Sequence, residues 1–337
     1  MHEDLVPPDD LSGLGPKELA LLKTERDVVT TIEELGHEVL KLGLRDELAP
    51  LRAAVQDWHP DVVFNLLEEF HGQAVFDQHV VSYLELLRAP YTGCNPRGLV
   101  LARDKALAKK ILHYHRIRGP RFAVVPRGRR CRRPARLGFP LIVKSLVEEA
   151  STGISNASVV TSDDKLEERV RFIHEKVGSD AIVEEYVDGR EIYLCLLGNQ
   201  RLTVLPAWEL FLDRLPADSP RIATRRVKFD AEFQERHHVE IGPAAALSDA
   251  QLRQFEALGK RIYRLLGLSG YARLDFRLAA DGTIHFLEAN PNPEIAADEE
   301  FAAAAAADEL PYAALLQRIL RLGLQSVGPD SGADEDS

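Results

Sequence analysis

The sequence predicts a protein of the α/β class, on three observations. Amphipathic stretches of helical spacing alternate with short apolar runs over the first hundred residues, which is typical of an open parallel sheet with helices packed on it. Further along the chain, strand-like runs succeed one another and include a hairpin, which adds an α+β part. The chain has 337 residues, of which 45% are hydrophobic, and this is enough for two or three domains with their own cores.

Composition excludes several classes of protein. The formal net charge of -11 argues against a nucleic-acid partner bound by bulk electrostatics. The three cysteines, Cys94, Cys131 and Cys195, form no C-x-x-C pair, so we expect neither a disulfide framework nor a zinc site, and a reducing compartment fits. The acidic, proline-rich start is not a secretory signal, and no apolar run approaches the ~20 residues of a membrane span. We therefore expect a cytoplasmic protein without nucleic-acid or membrane partners.

The predicted elements of residues 1–100 alternate between helix and strand. They are a helix over Lys17–Leu35 that Gly36 ends, a strand over His37–Leu42, a helix over Asp46–Trp58, a strand over Asp61–Leu67 and a helix over Asp77–Arg88. The first strand of such an alternation, expected before Leu5, is nearly absent, which suggests that the chain starts late.

The rest of the chain contains both kinds of element. The predicted helices are Arg103–Leu112, Ser248–Leu266, Ala302–Ala307 and Tyr312–Leu322, and the predicted strands are Phe122–Val125, Leu141–Lys144, Ile192–Leu197, Leu202–Pro206, Tyr271–Phe276 and Ile284–Glu288. The arginines between Arg127 and Arg136 can bind anions, although a solvated loop is the better interpretation of such a charge run. The tail Ser331–Ser337 is acidic and predicted to be disordered.

The strongest candidate site lies on a predicted hairpin with its turn at residues 281–282. Side chains alternate across a strand, so Arg273 and Asp275 share one face, as do Glu288 and Asn290. Pairing of the two strands would bring two carboxylates, an amide and a guanidinium together. Such oxygen ligands suit Mg²⁺ held between protein and nucleotide phosphates, and the arginine can neutralise charge on a transferred phosphoryl group. A solvated hairpin is the alternative, but the proline-rich segment that follows favours the metal site.

Two more segments have the composition of nucleotide-binding elements. A strand ends in Lys144 and runs into a small-residue loop, and both lysine and the backbone amides of such a loop can hold a phosphate. Neither a Walker A loop nor a dinucleotide fingerprint is present. The strand at Ala181–Val187 can offer backbone groups to an adenine edge, and Glu191 can reach ribose hydroxyls. An ordinary loop is the better interpretation of the first segment alone, and a strand with a β-turn explains the second equally well.

In this order the elements resemble the ATP-grasp superfamily, and within it the D-alanine–D-alanine ligase-like branch, from about Val62 to Leu324. The stretch Leu84–Gly93 and the later Asp104-Lys105 are similar to the start of the family's ATP-binding region. The resemblance implies roles for a larger set of residues. The phosphates would be contacted by Lys105, Lys144 and Lys228, and by a phosphate loop over Glu148–Gly153 that includes Ser151, Thr152 and Gly153. The adenine-binding linker would consist of Glu184, Glu185, Tyr186 and Val187, and Glu191 would bind ribose. Arg273 would stabilise the acyl-phosphate and tetrahedral intermediates, and the magnesium ligands would be Asp275, Glu288 and Asn290.

The resemblance implies a fold and a reaction. The fold is an ATP-grasp fold, with a Rossmann-like N-terminal domain over 1–100, a central subdomain over 101–187, a C-terminal catalytic domain over 188–324 and an acidic tail over 325–337. The reaction couples a small-molecule carboxylate to an amine through an acyl phosphate, with Arg273, Lys228 and Lys144 as catalytic residues. The implied cofactors are ATP and two Mg²⁺ ions, for which Mn²⁺ can substitute, and a homodimer is compatible with the resemblance.

The sequence departs from D-alanine ligases where those enzymes bind their amino acid. They carry H-G-x-x-G-E-D-G, whereas here His71-Gly72 is followed by Val75 and Phe76 in place of the inner glycine and glutamate. The substrate is therefore open, and the alternatives are another amino acid, a peptide or a natural-product intermediate. A nucleotide-binding module without ligase activity is a further alternative, which the complete set of nucleotide and metal residues disfavours.

Acidic residues follow the predicted metal ligands and allow two interpretations. Glu294, Asp298, Glu299 and Glu300 can hold a cationic amine substrate, or they can form the solvated start of a helix. Carboxylates are favourable near a helix N-terminus. The second interpretation is therefore preferred.

Overall fold

The structure is a computed structural model, and it describes residues 1–148, 153–212, 214–216 and 219–326. Its helices in chain order, α1 to α12, are Pro16–Leu21, Lys23–Glu34, Ala49–Ala53, Asp77–Leu86, Pro96–Arg103, Lys105–Tyr114, Asp163–Phe172, Arg225–Phe229, Ala231–His237, Asp249–Leu265, Glu300–Ala307 and Tyr312–Gly323. None of these helices is both long and apolar enough to span a membrane.

The strands of the described residues belong to two antiparallel sheets. In chain order, β1 to β10 are Phe122–Val125, Leu141–Ser145, Val159–Val160, Ala181–Glu185, Arg190–Leu197, Thr203–Val204, Trp208–Phe211, Glu240–Pro243, Tyr271–Leu278 and Ile284–Pro291. The smaller sheet has the order β1-β4-β2-β3. The larger has the order β10-β9-β5-β7-β8, with β6 paired to β5.

The N-terminal region differs most from the sequence prediction. Its parallel pairing is limited, among the described residues, to two isolated bridges, His2 with Leu44 and Val63 with Tyr91. The predicted strand over 37–42 is wrong, and the strand over 61–67 is reduced to its single bridge. The physical reason is that these two segments line a cavity of about 530 Å³ and do not pair with each other. The predicted open parallel sheet is therefore not formed as a regular sheet.

Several predicted helices are confirmed with corrected bounds. The helix over 17–35 is split between α1 and α2 because Leu22 leaves the helical conformation, and Gly36 follows it in the left-handed region at φ +86°. The helix over 46–58 is α3 continued by one π-turn. The helix that we expected from Arg103 begins at Lys105, because Asp104 caps it by accepting hydrogen bonds from two backbone amides.

The later strands and helices agree closely with the prediction. Strand β1 has the expected bounds, and β2, β5, β6, β9 and β10 differ from them by a few residues. The sequence prediction missed the strands β3, β7 and β8 and the helices α5, α7, α8 and α9. The hairpin is confirmed, since the backbone N–H of Ala279 donates to Thr283 O across the turn. The predicted tail over 331–337 lies outside the described residues.

The core of the larger sheet fixes the hairpin in place. Phe255 on α10 lies edge-to-face on Phe276 of β9, with ring centroids 5.4 Å apart, and Phe276 lies 6.1 Å from Phe286 of β10. All three rings are fully buried. Such pairs are worth about 0.5–1.5 kcal/mol each beyond the area that they bury. One face of the hairpin is thus held against α10, and the other face is left to carry the polar residues.

Candidate active site

The β9–β10 hairpin brings the predicted metal ligands together. In the register of the two strands Glu288 lies opposite Asp275, and Asn290 lies opposite Arg273, after an irregularity between Phe286 and Glu288. The side-chain amide of Asn290 donates to Asp275 Oδ2 at 3.0 Å. The hairpin therefore does place two carboxylates, one amide and one guanidinium on one face, as the alternation of the sequence predicts.

The two carboxylates have opposite pKa shifts; Asp275 is buried, whereas the side chain of Glu288 is 27% exposed. Burial raises the pKa of Asp275 to about 6, with a further contribution from the negative charge of Glu288 and against the charge of Arg273. Burial also opposes ionisation of Glu288, but the nearby lysines outweigh it and lower its pKa to about 2. At neutral pH both groups are ionised, and Asp275 is the one whose charge the site tolerates least.

Four lysines surround these carboxylates from different elements of the fold. Lys105 on α6 lies 3.9 Å from Glu288 Oε2 and donates to the backbone oxygen of Glu148 at 2.6 Å. Lys105, Lys109, Lys144 and Lys228 all lower the pKa of Glu288. The site therefore has a local surplus of positive charge in a protein of net negative charge, which is the local electrostatics that a polyphosphate needs.

A second buried carboxylate, that of Glu184, holds two of these lysines. Glu184 on β4 is 1% exposed, and its oxygens lie 3.1 Å from Lys109 Nζ and 3.3 Å from Lys144 Nζ. Burial opposes ionisation of Glu184, and the two ammonium groups more than compensate, so its pKa is lowered. Glu184 is part of the predicted adenine-binding linker, and its side chain bridges the two lysines.

Arg273 is held by two carboxylates and an aromatic ring. Its Nε and Nη2 donate to the two oxygens of Asp275 at 2.8 and 3.1 Å, and its Nη1 contacts Glu300 on α11. The guanidinium lies over the ring of Tyr193, 4.7 Å from the centroid. Burial opposes its charge, but the two carboxylates hold the pKa of Arg273 well above its usual range. The guanidinium is therefore fixed in one orientation beside the predicted metal ligands.

The remaining residues of the predicted adenine and ribose segment lie along the end of β4 and the start of β5. Glu185 pairs with Arg121 at 2.9 Å, and the hydroxyl of Tyr186 accepts from the backbone N–H of Arg221 at 3.1 Å. Glu191 is buried and accepts from Arg277 Nη2 at 2.6 Å and from the Tyr193 hydroxyl at 3.1 Å. The predicted ribose-binding carboxylate is thus already engaged by protein donors.

A small cavity of about 50 Å³ lies between predicted nucleotide-binding residues and predicted metal ligands. It is lined by residues of both sheets, among them Lys144, Glu184, Glu185, Tyr186, Val187, Glu191, Lys228, Asp275 and Glu288. The predicted nucleotide and metal residues are therefore neighbours in the fold, although they are spread over more than 140 positions of sequence. The larger cavity, in the N-terminal region, shares none of these residues.

The predicted phosphate loop is only partly described. Ser151 and Thr152 lie outside the described residues. Gly153 has a left-handed φ of +71°, which suits glycine, and its backbone oxygen accepts from Arg169. The arginine-rich segment from Arg127 to Arg136 is a mostly exposed loop, as preferred, in which Arg133 pairs with Asp163 at 2.8 Å.

The acidic residues after the hairpin do not share one environment. Glu294 and Asp298 are exposed, whereas the side chain of Glu300 is only 10% exposed and contacts Arg273. The preferred solvated interpretation is therefore wrong for Glu300, because α11 turns its first residue inward.

Two buried residues near the site were missed from the sequence, namely Lys109 and Arg277. Lys109 has a local signal, because it follows Lys105 by one helical turn and so shares its face of α6. Arg277 has no such signal, because its partner Glu191 is distant in the chain.

The oxygen donors test the predicted metal site. In the described part of the chain, no three His, Cys, Asp or Glu side chains lie together closely enough to hold a metal ion. The candidate set has two carboxylates, and its third member is an amide. All three are hard oxygen donors, and two carboxylates that face each other across the hairpin are matched to a divalent cation, so the residues fit magnesium.

Comparison with solved structures shows the fold of the chain. The chain is similar to a D-alanine–D-alanine ligase from Bacillus anthracis complexed with ATP, with a TM-score of 0.73, 22% identity and coverage of 94% of this chain and 96% of that one. It is also similar to the VanG D-Ala:D-Ser ligase from Enterococcus faecalis, with a TM-score of 0.62, 22% identity and coverage of 78% and 73%. Together with the two antiparallel sheets and the polar hairpin of the larger sheet, these likenesses show an ATP-grasp fold.

Sequence comparison then defines the family. The model described as D-ala D-ala ligase C-terminus matches residues 114–321. An uncharacterized protein of Sinorhizobium fredii, y4sG, is 33% identical over 87% of this chain and 85% of its own length. A D-alanine–D-alanine ligase of Synechococcus sp. is 31% identical over 93% and 92%. The chain belongs to the D-alanine–D-alanine ligase family, a family of ATP-dependent ligases.

Proposed function

We propose that the protein uses ATP to activate a carboxylate as an acyl phosphate and then joins it to an amine. The observation that carries the proposal is the β9–β10 hairpin, where Asp275 and Glu288 face each other across the strands and Arg273 and Asn290 lie beside them. The lysines around Glu288 support it, because their positive charge is matched to a polyphosphate.

The nucleotide binds between residues 101–187 and 188–324, the proposed central and C-terminal parts. Lys105, Lys144 and Lys228 hold its phosphates, and the backbone of Glu184–Val187 faces its adenine. The cavity of about 50 Å³ is far smaller than the roughly 300–1,000 Å³ of ordinary ligand sites. The nucleotide therefore needs more space than this cavity provides, and Glu191, which accepts one donor on each oxygen, retains lone pairs for ribose hydroxyls.

Asp275, Glu288 and Asn290 hold Mg²⁺ in the proposed site. When bound, the metal would supply positive charge that offsets the negative charge of the phosphate oxygens. Glu288 is ionised in advance because its pKa is about 2. Asp275, whose pKa is about 6, is the ligand whose ionisation a cation would favour most.

The side chains then divide the work of phosphoryl transfer. The carboxylate substrate attacks the γ-phosphorus, so that an O–P bond forms and the bond to the β-phosphate oxygen breaks. Lys144 and Lys228 neutralise the oxygens that gain charge, and Arg273 faces the acyl group. Burial of these groups excludes water, which would hydrolyse the acyl phosphate.

In the second step the amine attacks the acyl carbon. The C–N bond forms and the C–O bond to phosphate breaks, so phosphate leaves with the bonding pair. Of the three ammonium protons of the amine, one stays on the amide, one leaves on phosphate and one goes to solvent. The fixed guanidinium of Arg273 can stabilise the negative charge that develops on the carbonyl oxygen.

The identity of the carboxylate substrate is inferred from the relatives and from two residues of the N-terminal region. The family relatives and solved neighbours are named for D-alanine and D-serine products. Val75 and Phe76 stand where D-alanine ligases carry glycine and glutamate. We therefore propose an amino-acid or peptide carboxylate and leave D-alanine as one member of the panel to be tested.

Release of ADP and phosphate from ATP tests the proposal. The wild-type protein is assayed with Mg²⁺ against D- and L-amino acids, singly and in pairs. Release should require Mg²⁺ and a substrate carboxylate, and the Glu288→Gln variant should show none. The control is Glu256→Gln, which changes an exposed residue of α10 and should leave the release unchanged. Tight nucleotide binding with no release for any carboxylate would instead favour a binding module.

A further inference from the structure

An extra residue in strand β10 sets the direction of Glu288. Phe286 lies opposite Phe276 on β9. Glu288 lies opposite the preceding residue of β9, Asp275, so Leu287 has no counterpart on that strand. In a regular strand, residues two apart share a face, and Glu288 would follow the buried Phe286 towards the core. The bulge at Leu287 instead turns the carboxylate to the polar face of the hairpin.

The ammonium group of Lys109 contacts this bulge. Lys109 lies on α6 and is 4% exposed. Its Nζ donates a hydrogen bond to the backbone oxygen of Leu287 and lies 5.4 Å from the centroid of the Phe286 ring. Hydrogen bonds from a charged donor are stronger than those between neutral groups. The contact therefore fixes the peptide group that leads from Leu287 into Glu288.

The same ammonium group is tied to the phosphate side of the site. It lies 3.1 Å from one oxygen of Glu184, whose other oxygen lies 3.3 Å from Lys144 Nζ. The small cavity is lined by Glu184, Lys144, Leu287 and Glu288, and Lys109 is not part of its wall. Lys109 therefore affects a ligand of that cavity through these neighbours and not by contact.

We propose that Lys109 is a positioning residue, which holds the bulge at Leu287 and thereby keeps Glu288 opposite Asp275 for the metal ion. The inference rests on the proposed function, because it takes Asp275, Glu288 and Asn290 as the ligands of Mg²⁺. It gives Lys109 a role different from that of the lysines that hold the phosphates.

A role in position and a role in charge predict opposite effects on metal binding. Lys109 is one of the cations that act on Glu288. If it acted by its charge alone, its removal would reduce the repulsion of Mg²⁺ and strengthen metal binding. If it holds the bulge, its removal frees the peptide group before Glu288 and weakens metal binding. The sign of the change therefore separates the two roles.

The test is isothermal titration of Mg²⁺ into the full chain saturated with a non-hydrolysable ATP analogue. In Lys109→Met we expect Mg²⁺ to bind about tenfold more weakly, as is usual when a partner that orients a metal ligand is lost. Lys109→Arg keeps a charged donor and should retain most of the affinity. The control is Lys110→Met, which changes an exposed neighbour on α6 and should leave the affinity unchanged. An affinity that is unchanged or raised in Lys109→Met would overturn the proposal.

Two further measurements separate positioning from structural damage. Without Mg²⁺, the affinity of Lys109→Met for the analogue should stay within about threefold of the wild type, because Glu184 keeps its contact with Lys144. A merely structural role would lower the stability to urea and leave the Mg²⁺ affinity of the folded protein unchanged, which would also overturn the proposal.

A second variant keeps the test decisive if Lys109→Met does not fold. Lys109→Gln has a shorter, uncharged side chain, and the same loss of Mg²⁺ affinity is expected; an unchanged or raised affinity would again overturn the proposal. A wild type that binds the analogue but no Mg²⁺ would count against the proposed function itself. Normal Mg²⁺ binding in the wild type, with no loss in the variants, would count against this inference alone.

Discussion

Glu184 is the carboxylate on which two buried lysines depend, so we expect Glu184→Gln to destabilise the protein strongly. The substitution keeps the size of the side chain and removes its charge. Lys109 and Lys144 are then left as two buried ammonium groups without their common partner. Removal of one member of a buried ion pair is costly, because the remaining charge stays desolvated.

The distances set the magnitude. Lys109 and Lys144 lie 3.1 and 3.3 Å from the Glu184 oxygens. At an effective dielectric constant of about 20, each contact contributes about 5 kcal/mol of attraction. Most of this offsets the desolvation of the three groups, and the net loss for a broken buried pair is about 3–5 kcal/mol. We expect that loss in the free energy of unfolding at neutral pH.

The assay is equilibrium urea unfolding, and the neighbouring residue on β4 provides the control. Glu185 pairs with Arg121 at the surface, where the arginine side chain is 62% exposed. Exposed pairs are worth about 0–1 kcal/mol, so Glu185→Gln should change stability little. Adding Mg²⁺ and a non-hydrolysable ATP analogue should recover part of the loss in Glu184→Gln, because phosphates can take the place of the missing carboxylate. Equal effects of the two substitutions would refute the electrostatic reasoning.

Two further predictions concern the hairpin. Burial raises the pKa of Asp275 to about 6, and its proton must leave before the carboxylate can bind a cation. The affinity for Mg²⁺, measured by calorimetry, should therefore rise about tenfold from about pH 5 to about pH 7 and then level off. The Asp275→Asn variant should bind Mg²⁺ weakly at every pH. Gly270→Ala should cost about 2 kcal/mol more than Gly282→Ala in urea unfolding. Both glycines have left-handed φ, but a Cβ at Gly270 would lie 2.4 Å from Gly93 O, whereas at Gly282 it meets nothing within 4 Å. A flat pH profile, or equal costs of the two alanines, would contradict these accounts.

The hairpin could be predicted from the sequence because its determinants are local. The Asp281-Gly282 turn and the alternation of the flanking residues fix which side chains share a face. The prediction that Asp275, Glu288 and Asn290 meet is therefore confirmed at the level of geometry. Their role as metal ligands stays a prediction.

The contacts that the sequence did not reveal are between distant segments. Glu184 meets Lys109 because β4 lies between β1 and β2 and faces α6. Glu300 meets Arg273 because α11 folds back over the hairpin. Local patterns indicate a strand and a solvated helix start for these two positions, and only the packing of the sheets decides which side chains are buried.

The predicted strands of the N-terminal region are wrong for a related reason. The predicted helices of this region are confirmed, since α2, α3 and α4 all form. Strand pairing also requires a neighbour at hydrogen-bonding distance. Residues 37–42 line a cavity and have no strand partner. The pattern alone could not predict which strands would find one.

Trapping of the acyl phosphate with hydroxylamine tests the central claim most directly. Hydroxylamine replaces the amine substrate, so that any activated carboxylate is converted to a hydroxamate and can be detected without knowledge of the natural acceptor. We predict hydroxamate formation with at least one amino-acid or peptide carboxylate, dependent on ATP and Mg²⁺, and its loss in Glu288→Gln. Nucleotide binding without hydroxamate in the wild type, or equal hydroxamate in Glu288→Gln, would contradict the account.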